Sequence, residues 1–500
     1  MTSLIFHGGV GEIGGNKILL EDSGKRIWFD FGMSFGQSGR YFSEFLQPKK
    51  FNGVIDFLET GLLPRLDDMC GLYRQDYLGH CDIEADDKPC YDAVFLTHAH
   101  ADHSSYIHFL RGDIPVYASQ VTKQILHAIE VTSGSGLTDF TTCTENFQIV
   151  PKKSGDGFTR LKGAAAKSDR DFRVFEESPV PVDVGGGVRV EAVPVNHSLP
   201  GACGYFVHTS EGVVAYTGDL RFHGYGGSLT HRFVERASEL QPLALICEGT
   251  RIDDSTSVSE EDVQERAAGI VRGKSLVIVD FPIRDIERMT SFLEVAKATG
   301  RRLAISLKQA FLLKQLEGTA AGAPSLDDKN LAIYVRRKNW GLITKTGYPA
   351  EIVRQDYDEW EREVLSHPNA VTCEDIHSNQ SDFIVRIDFF ELPDLIAIKP
   401  GPGSCYIRSL TEPHDEEDQI DLKRVENWLR MFDLFPYEII HAWGHLDGVD
   451  LKRLVQQISP RFLIPVHTEH PEMFQALAGS GTEVIPPEHG KGYTLRLKWA

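Results

Sequence analysis

Leu96-Thr97-His98-Ala99-His100-Ala101-Asp102-His103 packs four metal-ligating side chains into six residues, directly after the apolar run Asp92–Thr97. A loop that ends a strand can aim alternate side chains at two neighbouring ions, and imidazole with carboxylate suits zinc or manganese. A polar surface loop is the competing account, but four ligands packed this way seldom arise by chance. Three further candidates follow later apolar runs: Val193-Pro194-Val195-Asn196-His197, Ala215-Tyr216-Thr217-Gly218-Asp219 and Leu463-Ile464-Pro465-Val466-His467. Each alone reads as a core or turn residue. Jointly, His98, His100, Asp102, His103, His197, Asp219 and His467 supply the seven ligands of a dinuclear site.

The rest of the chain suits such an enzyme. Its 500 residues allow about two to four domains, and 41% hydrophobic with 25% charged residues is the balance of a globular protein. No apolar run approaches the roughly 20 residues of a membrane-spanning helix, so no membrane partner is expected. The start, Met1-Thr2-Ser3-Leu4-Ile5-Phe6, lacks a basic region followed by an apolar one, so no secretory signal is expected. Eight scattered cysteines read as reduced thiols in a cytoplasmic protein. The net charge of −20 argues against a protein whose main task is coating nucleic acid, while leaving room for an enzyme that grips a few phosphates in a cleft.

Short β-branched runs such as Gly212–Thr217, Leu243–Cys247, Glu438–His441 and Arg461–Val466 read as buried strands. Helical patterns at Asp285–Thr299 and Asp421–Phe432 alternate with them, which predicts an α/β layered architecture. No repeat is present, and 47–90, 151–179 and 317–330 read as insertions or loops.

The order and strand-end placement of the seven ligands resemble the metallo-β-lactamase superfamily, whose motif is His-x-His-x-Asp-His followed by separate His, Asp and His. That resemblance implies an αββα sandwich. It places one divalent ion on His98, His100 and His197 and a second on Asp102, His103 and His467, with Asp219 bridging; zinc is favoured and manganese allowed. Such a pair holds a hydroxide at neutral pH and clamps the attacked group.

Leu245-Ile246-Cys247-Glu248-Gly249-Thr250-Arg251 and Ile440-His441-Ala442-Trp443-Gly444-His445 flank a block with its own α/β pattern. This arrangement is similar to the β-CASP group of nucleases, which carry an inserted cap and motifs corresponding here to Glu248, His445 and His467. It predicts a first sandwich part over 1–251, an α/β β-CASP cap over 252–430, and a second sandwich part over 431–500. Gly8-Gly9-Val10-Gly11-Glu12-Ile13-Gly14-Gly15-Asn16, Glu248-Gly249-Thr250, and Gly444-His445 with Ile464-Pro465-Val466-His467 resemble ribonuclease J in particular. Lys399-Pro400-Gly401-Pro402-Gly403-Ser404 stands where that family has a serine- and glycine-rich segment that meets RNA phosphate. No stretch after Trp499 corresponds to the family's extra C-terminal domain, so a homo-oligomer is allowed without its usual mode being implied.

The resemblance implies a phosphodiesterase with Asp102, Asp219, Glu248 and His445 as catalytic residues. His445 would be the general acid, held protonated by Glu248, because a neighbouring carboxylate raises an imidazole pKa. Ser404 and Arg284 are candidate contacts to substrate phosphate. Arg284 and Arg288 read more readily as solvated helix charges, His441 as a structural residue, and Cys70, His80, Cys81 and Cys90 as thiols and a histidine outside any standard zinc spacing. Two functions compete. One is a ribonuclease J-like nuclease, exonucleolytic or endonucleolytic, that binds RNA or single-stranded nucleic acid. The other is a hydrolase of the same fold acting on a small ester, lactone or phosphodiester, which the −20 charge keeps in play.

Overall fold

Along the strand Cys203–Thr209, Tyr205 and Val207 enter one apolar core and Phe206 enters another, as period-two alternation requires of a strand buried on both faces. The strand Ala244–Glu248 does the same, with Ala244 and Ile246 on one side and Leu245 and Cys247 on the other. The inner core lies between two seven-stranded sheets. These features come from a computed structural model, which describes every residue except 44, 50, 51, 135, 162–165, 176–179, 412–415 and 497–500.

The first sheet has the order Phe172–Val174, Val116–Ala118, Ala93–Phe95, Lys25–Phe29, Ile18–Asp22, Thr2–Phe6 and Gly492–Leu495. The second runs Val182–Gly185, Val188–Pro194, Cys203–Thr209, Gly212–Tyr216, Ala244–Glu248, Phe462–Val466 and Glu483–Val484. Helices Gly227–Leu240 and Gly448–Ile458 cover the outside of the second sheet through Phe233, Val234, Leu451 and Val455. Helix Gln120–Thr132 covers the outside of the first. The result is the αββα sandwich.

A third seven-stranded sheet, wholly parallel, has the order Ala370–Val371, Leu331–Tyr334, Arg302–Ser306, Phe383–Arg386, Val277–Asp280, Cys405–Arg408 and Glu438–Ile439. Helices lie on both faces, so its strands are apolar without alternation, as in Val277-Ile278-Val279 and Leu331-Ala332-Ile333. It docks on the sandwich where helix Leu307–Leu316 packs against helix Gln120–Thr132. Its last strand falls past 430, so the inserted unit reaches further than the sequence pattern suggested. His441 lies just beyond that strand: Glu438 and Ile439 pair with Ile407 and Arg408, and the last bond to the neighbour runs from Ile440 N–H to Arg408 O at 3.0 Å.

Two of the supposed insertions are built into the core. Phe57, Leu58, Tyr77 and Leu78, from short helices in 47–90, are buried beneath the first sheet. The strand Phe172–Val174 within 151–179 extends that sheet beside Val116–Ala118, while 162–165 and 176–179 lie outside the described residues.

Candidate metal centre

All seven sequence-predicted ligands converge at one end of the sandwich, each just past the C-terminal end of a strand or in the helical turn that follows. The Ala93–Phe95 strand delivers His98 to His103, Val188–Pro194 delivers His197, Gly212–Tyr216 delivers Asp219, and Phe462–Val466 delivers His467. The buried Tyr205 hydroxyl donates to the Leu96 carbonyl and anchors the start of the motif. Glycine lets the backbone close around it: a Cβ on Gly32 would lie 1.7 Å from the Asp102 carbonyl oxygen. His467 sits at φ +52°, a left-handed conformation costing about 1–3 kcal/mol. Its own N–H, donated to Gly9 O at 2.8 Å, holds it there.

Asp219 Oδ2 is the hub. It lies 3.1 Å from His103 Nε2, 3.7 Å from His98 Nε2, 3.8 Å from His197 Nε2 and 3.7 Å from His467 Nε2. His100 Nδ1 is 2.8 Å from His98 Nε2 and 3.0 Å from His197 Nε2, and Asp102 Oδ2 is 3.1 Å from His467 Nε2. Two ligand-sized groups result, His98, His100, His197 with Asp219, and Asp102, His103 with His467; a third set within 4.8 Å joins Asp219 and His467 to Glu248 and His445.

The far nitrogens of four of the five imidazoles, all but His100, are engaged, as expected where histidine must be held for a metal. His103 Nδ1 bonds Asp30 Oδ2 at 2.8 Å, His197 Nδ1 bonds Gly444 O at 2.7 Å, His467 Nδ1 bonds Thr250 Oγ1 at 2.8 Å, and His98 Nδ1 bonds Thr97 Oγ1 at 3.0 Å. His103 Nε2 and Asp219 Oδ1 are buried with no hydrogen-bond partner among the described residues, which leaves donor capacity for a cation. Burial, reinforced by neighbouring histidines, lowers the pKa of His98 and His197 and brings His100 to about 4, so these three are neutral donors. Burial opposes ionisation of Asp219, but His103, His467 and His445 hold it well below the ordinary carboxylate range. This donor set fits divalent ions.

Asp30 was not singled out from sequence. It follows the strand Lys25–Phe29 at φ +55° and accepts from the Thr97 N–H and the Tyr216 hydroxyl as well as from His103. An acid ending a strand was the available signal.

Glu248 and His445, 197 residues apart, meet beside the ligands: His445 Nδ1 is 3.1 Å from both Glu248 carboxylate oxygens. The His445 ring centroid lies 5.0 Å from that of His197 and 5.5 Å from that of His467. Burial would depress the His445 pKa, but Glu248 and Asp219 outweigh it and raise the value to about 9.

The remaining candidates divide. Arg284 faces His100 across a 340 Å³ cleft between sandwich and third sheet. It has no hydrogen bond or ion pair among the described residues. Ser404 does not join it: its hydroxyl donates to Gly401 O and accepts from Leu276 N, at the opposite end of the parallel strands from Arg284. Arg288 is not a solvated helix charge. It is fully buried, paired with Glu260 at 2.9 Å, and donates to the Ala442 carbonyl at 2.8 Å. Arg221 completes the network, reaching Glu260 at 3.2 Å and the Trp443 carbonyl at 2.9 Å, so buried charges hold the segment that leads to His445. His441 accepts from Arg288 and stands apart from the ligands. Cys70, His80, Cys81 and Cys90 form no ligand-sized group among the described residues, and the cysteines are free.

Residues 74–233 match the family model described as a beta-lactamase superfamily domain. Ribonuclease J of Sinorhizobium meliloti is 24% identical over 75% of this chain and 57% of its own length, so the chain spans little more than half of that relative. Ribonuclease J of Pyrococcus abyssi is 21% identical over 94% of this chain and 90% of its own. For that of Thermus thermophilus the figures are 24%, 96% and 70%. A crystal structure of a protein of unknown function from Enterococcus faecalis V583 shares the fold, with a TM-score of 0.70 at 23% identity, covering 98% of this chain and 99% of that one. With the sandwich, the inserted parallel sheet and the motif residues in one place, the chain carries a beta-lactamase superfamily domain over residues 74–233 and resembles ribonuclease J over most of its length.

Proposed function

We propose that this protein is a metal-dependent nuclease that hydrolyses phosphodiester bonds of RNA or another single-stranded nucleic acid in the cleft between sandwich and third sheet. The observation that carries the reading is the Glu248–His445 pair standing over the ligand cluster. The couple can protonate a departing oxygen, and it stands beneath an inserted parallel sheet that a hydrolase of small esters or lactones does not need.

His98, His100 and His197 would hold one divalent ion and Asp102, His103 and His467 a second, with Asp219 between them. The nitrogen-rich donor set favours zinc, with manganese the alternative. When bound, the ions supply a water of lowered pKa and neutralise charge on the phosphoryl oxygens. Asp219, kept ionised by the surrounding imidazoles, orients the two groups of ligands against each other. His445, protonated through Glu248, delivers a proton from Nε2 to the leaving oxygen. Arg284 offers an unpaired guanidinium to a substrate phosphate; Ser404, already bonded within its own turn, is not assigned that role. The free cysteines suit a reducing compartment, and we place the enzyme in the cytoplasm.

Purified protein of measured metal content, given end-labelled single-stranded RNA and DNA, should cleave at least one of them; Asp219→Ala should abolish cleavage and His445→Ala should slow it about 10²–10⁴-fold. Metal-loaded protein that cleaves neither polymer would overturn the reading. Turnover would then be sought on small phosphodiesters and lactones, the alternative that the −20 charge keeps in play.

A further inference from the structure

Phe390 is 80% exposed, the most solvent-facing aromatic ring lining the cleft that also holds His100 and Arg284. Its presentation is built rather than accidental. Phe389 turns inward against the apolar layer beneath the third sheet, and Phe390 stands on it edge-on, with ring centroids 5.2 Å apart at 83°. Asp388 caps the turn, accepting from the Phe390 and Glu391 N–H groups at 3.0 and 3.1 Å.

Arg386 locks that turn to the one carrying Arg284. It is 2% exposed, pairs with Asp388 at 2.9 Å and Glu391 at 2.8 Å, and donates from Nε and one terminal nitrogen to Phe281 O at 3.1 Å. Phe281 begins the segment that leads through Arg284 to Asp285, which caps the next helix through Arg288 N at 2.9 Å. An exposed ring and an unpaired guanidinium are thus held on one rigid frame at the mouth of the cleft.

A protein of net charge −20 gains no long-range attraction for a polyanion, so affinity for a strand has to come from short-range contacts. Stacking of bases on aromatic rings is such a contact. It is worth about 1–3 kcal/mol per base and tolerates any sequence. We infer that Phe390 is a nucleobase-stacking platform of a single-strand subsite, with Arg284 taking the adjacent backbone phosphate as the strand enters toward the ligand cluster. The inference rests on the nuclease reading and adds to it the feature that selects a base-bearing strand.

The test measures, with metal-loaded enzyme, the KM for a short single-stranded RNA and the inhibition constant of a ribose-phosphate strand of equal length that lacks bases. Phe390→Ala is expected to raise the KM for RNA about 5- to 150-fold. It should erase the preference of the wild type for the base-bearing strand, and Phe390→Trp should restore that preference. A KM that ignores Phe390→Ala, or a loss shared equally by the baseless strand, would overturn the stacking subsite while leaving the nuclease standing. A wild type that holds its metal yet turns over no RNA would overturn both.

Discussion

Glu248 fixes what His445 can do. Its carboxylate holds the imidazole protonated, at a pKa of about 9, against the cost of burial and beside donors that must stay neutral. Removing the carboxylate while keeping its shape, in Glu248→Gln, should therefore lower that pKa. We expect the alkaline limb of the kcat–pH profile to move toward lower pH, with metal content retained. His445→Ala should remove the acid altogether, at a cost of about 10²–10⁴ in kcat. An unmoved alkaline limb would take the proton-donor role away from His445. Asp30 acts at one further remove, through His103. Asp30→Asn should weaken metal affinity about 10- to 100-fold. Chelator competition measures this directly, and an unchanged affinity would reduce Asp30 to a packing role.

The strand Val277–Asp280 brings a carboxyl to the edge of the cleft that faces the sandwich. Burial, only partly offset by Arg386 and by the Tyr406 hydroxyl that donates to it at 3.0 Å, raises Asp280 to about 7. A carboxyl whose pKa rises on folding takes up a proton in the folded state. Its stability contribution is therefore whole below about pH 4 and is lost as pH climbs through about 7. Asp280→Asn stays neutral throughout, so its Tm relative to the wild type should rise between about pH 4 and about pH 8. A Tm difference independent of pH would show that Asp280 does not titrate in this range. The same strand shows why parallel packing hides its register from sequence: with both faces covered, Val277, Ile278 and Val279 look alike, although two belong to one core and the third to another.

The two halves of the molecule are joined by charge as well as by apolar packing. Glu260 is completely buried between Arg221 of the sandwich and Arg288 of the inserted unit, and these arginines also hold the carbonyls of Ala442 and Trp443. Glu260→Gln leaves two guanidinium groups buried without their shared countercharge. Breaking such a network costs about 3–5 kcal/mol. Denaturant unfolding should show a loss of that size, accompanied by weaker activity because the segment leading to His445 loses its hold. A loss below about 1 kcal/mol would mean that the network is dispensable for joining the halves.

The candidate metal ligands were legible because chemistry restricts such ligands to a few residue types and strand ends place them, so His98, His100, Asp102, His103, His197, Asp219 and His467 stand out even when separated by hundreds of positions. The αββα fold followed from the same residues through family resemblance, and the strand pattern agreed with it. What stayed hidden depends on partners distant in sequence. Arg288 carries the same helical pattern whether it faces water or Glu260, and Phe57 and Tyr77 look like loop residues until the first sheet covers them. Ser404 suits a phosphate contact in one dimension and satisfies its own turn in three. Burial and pairing are properties of the assembled chain: a side chain's neighbours set its charge, exposure and availability, and those neighbours are chosen only when the sheets close.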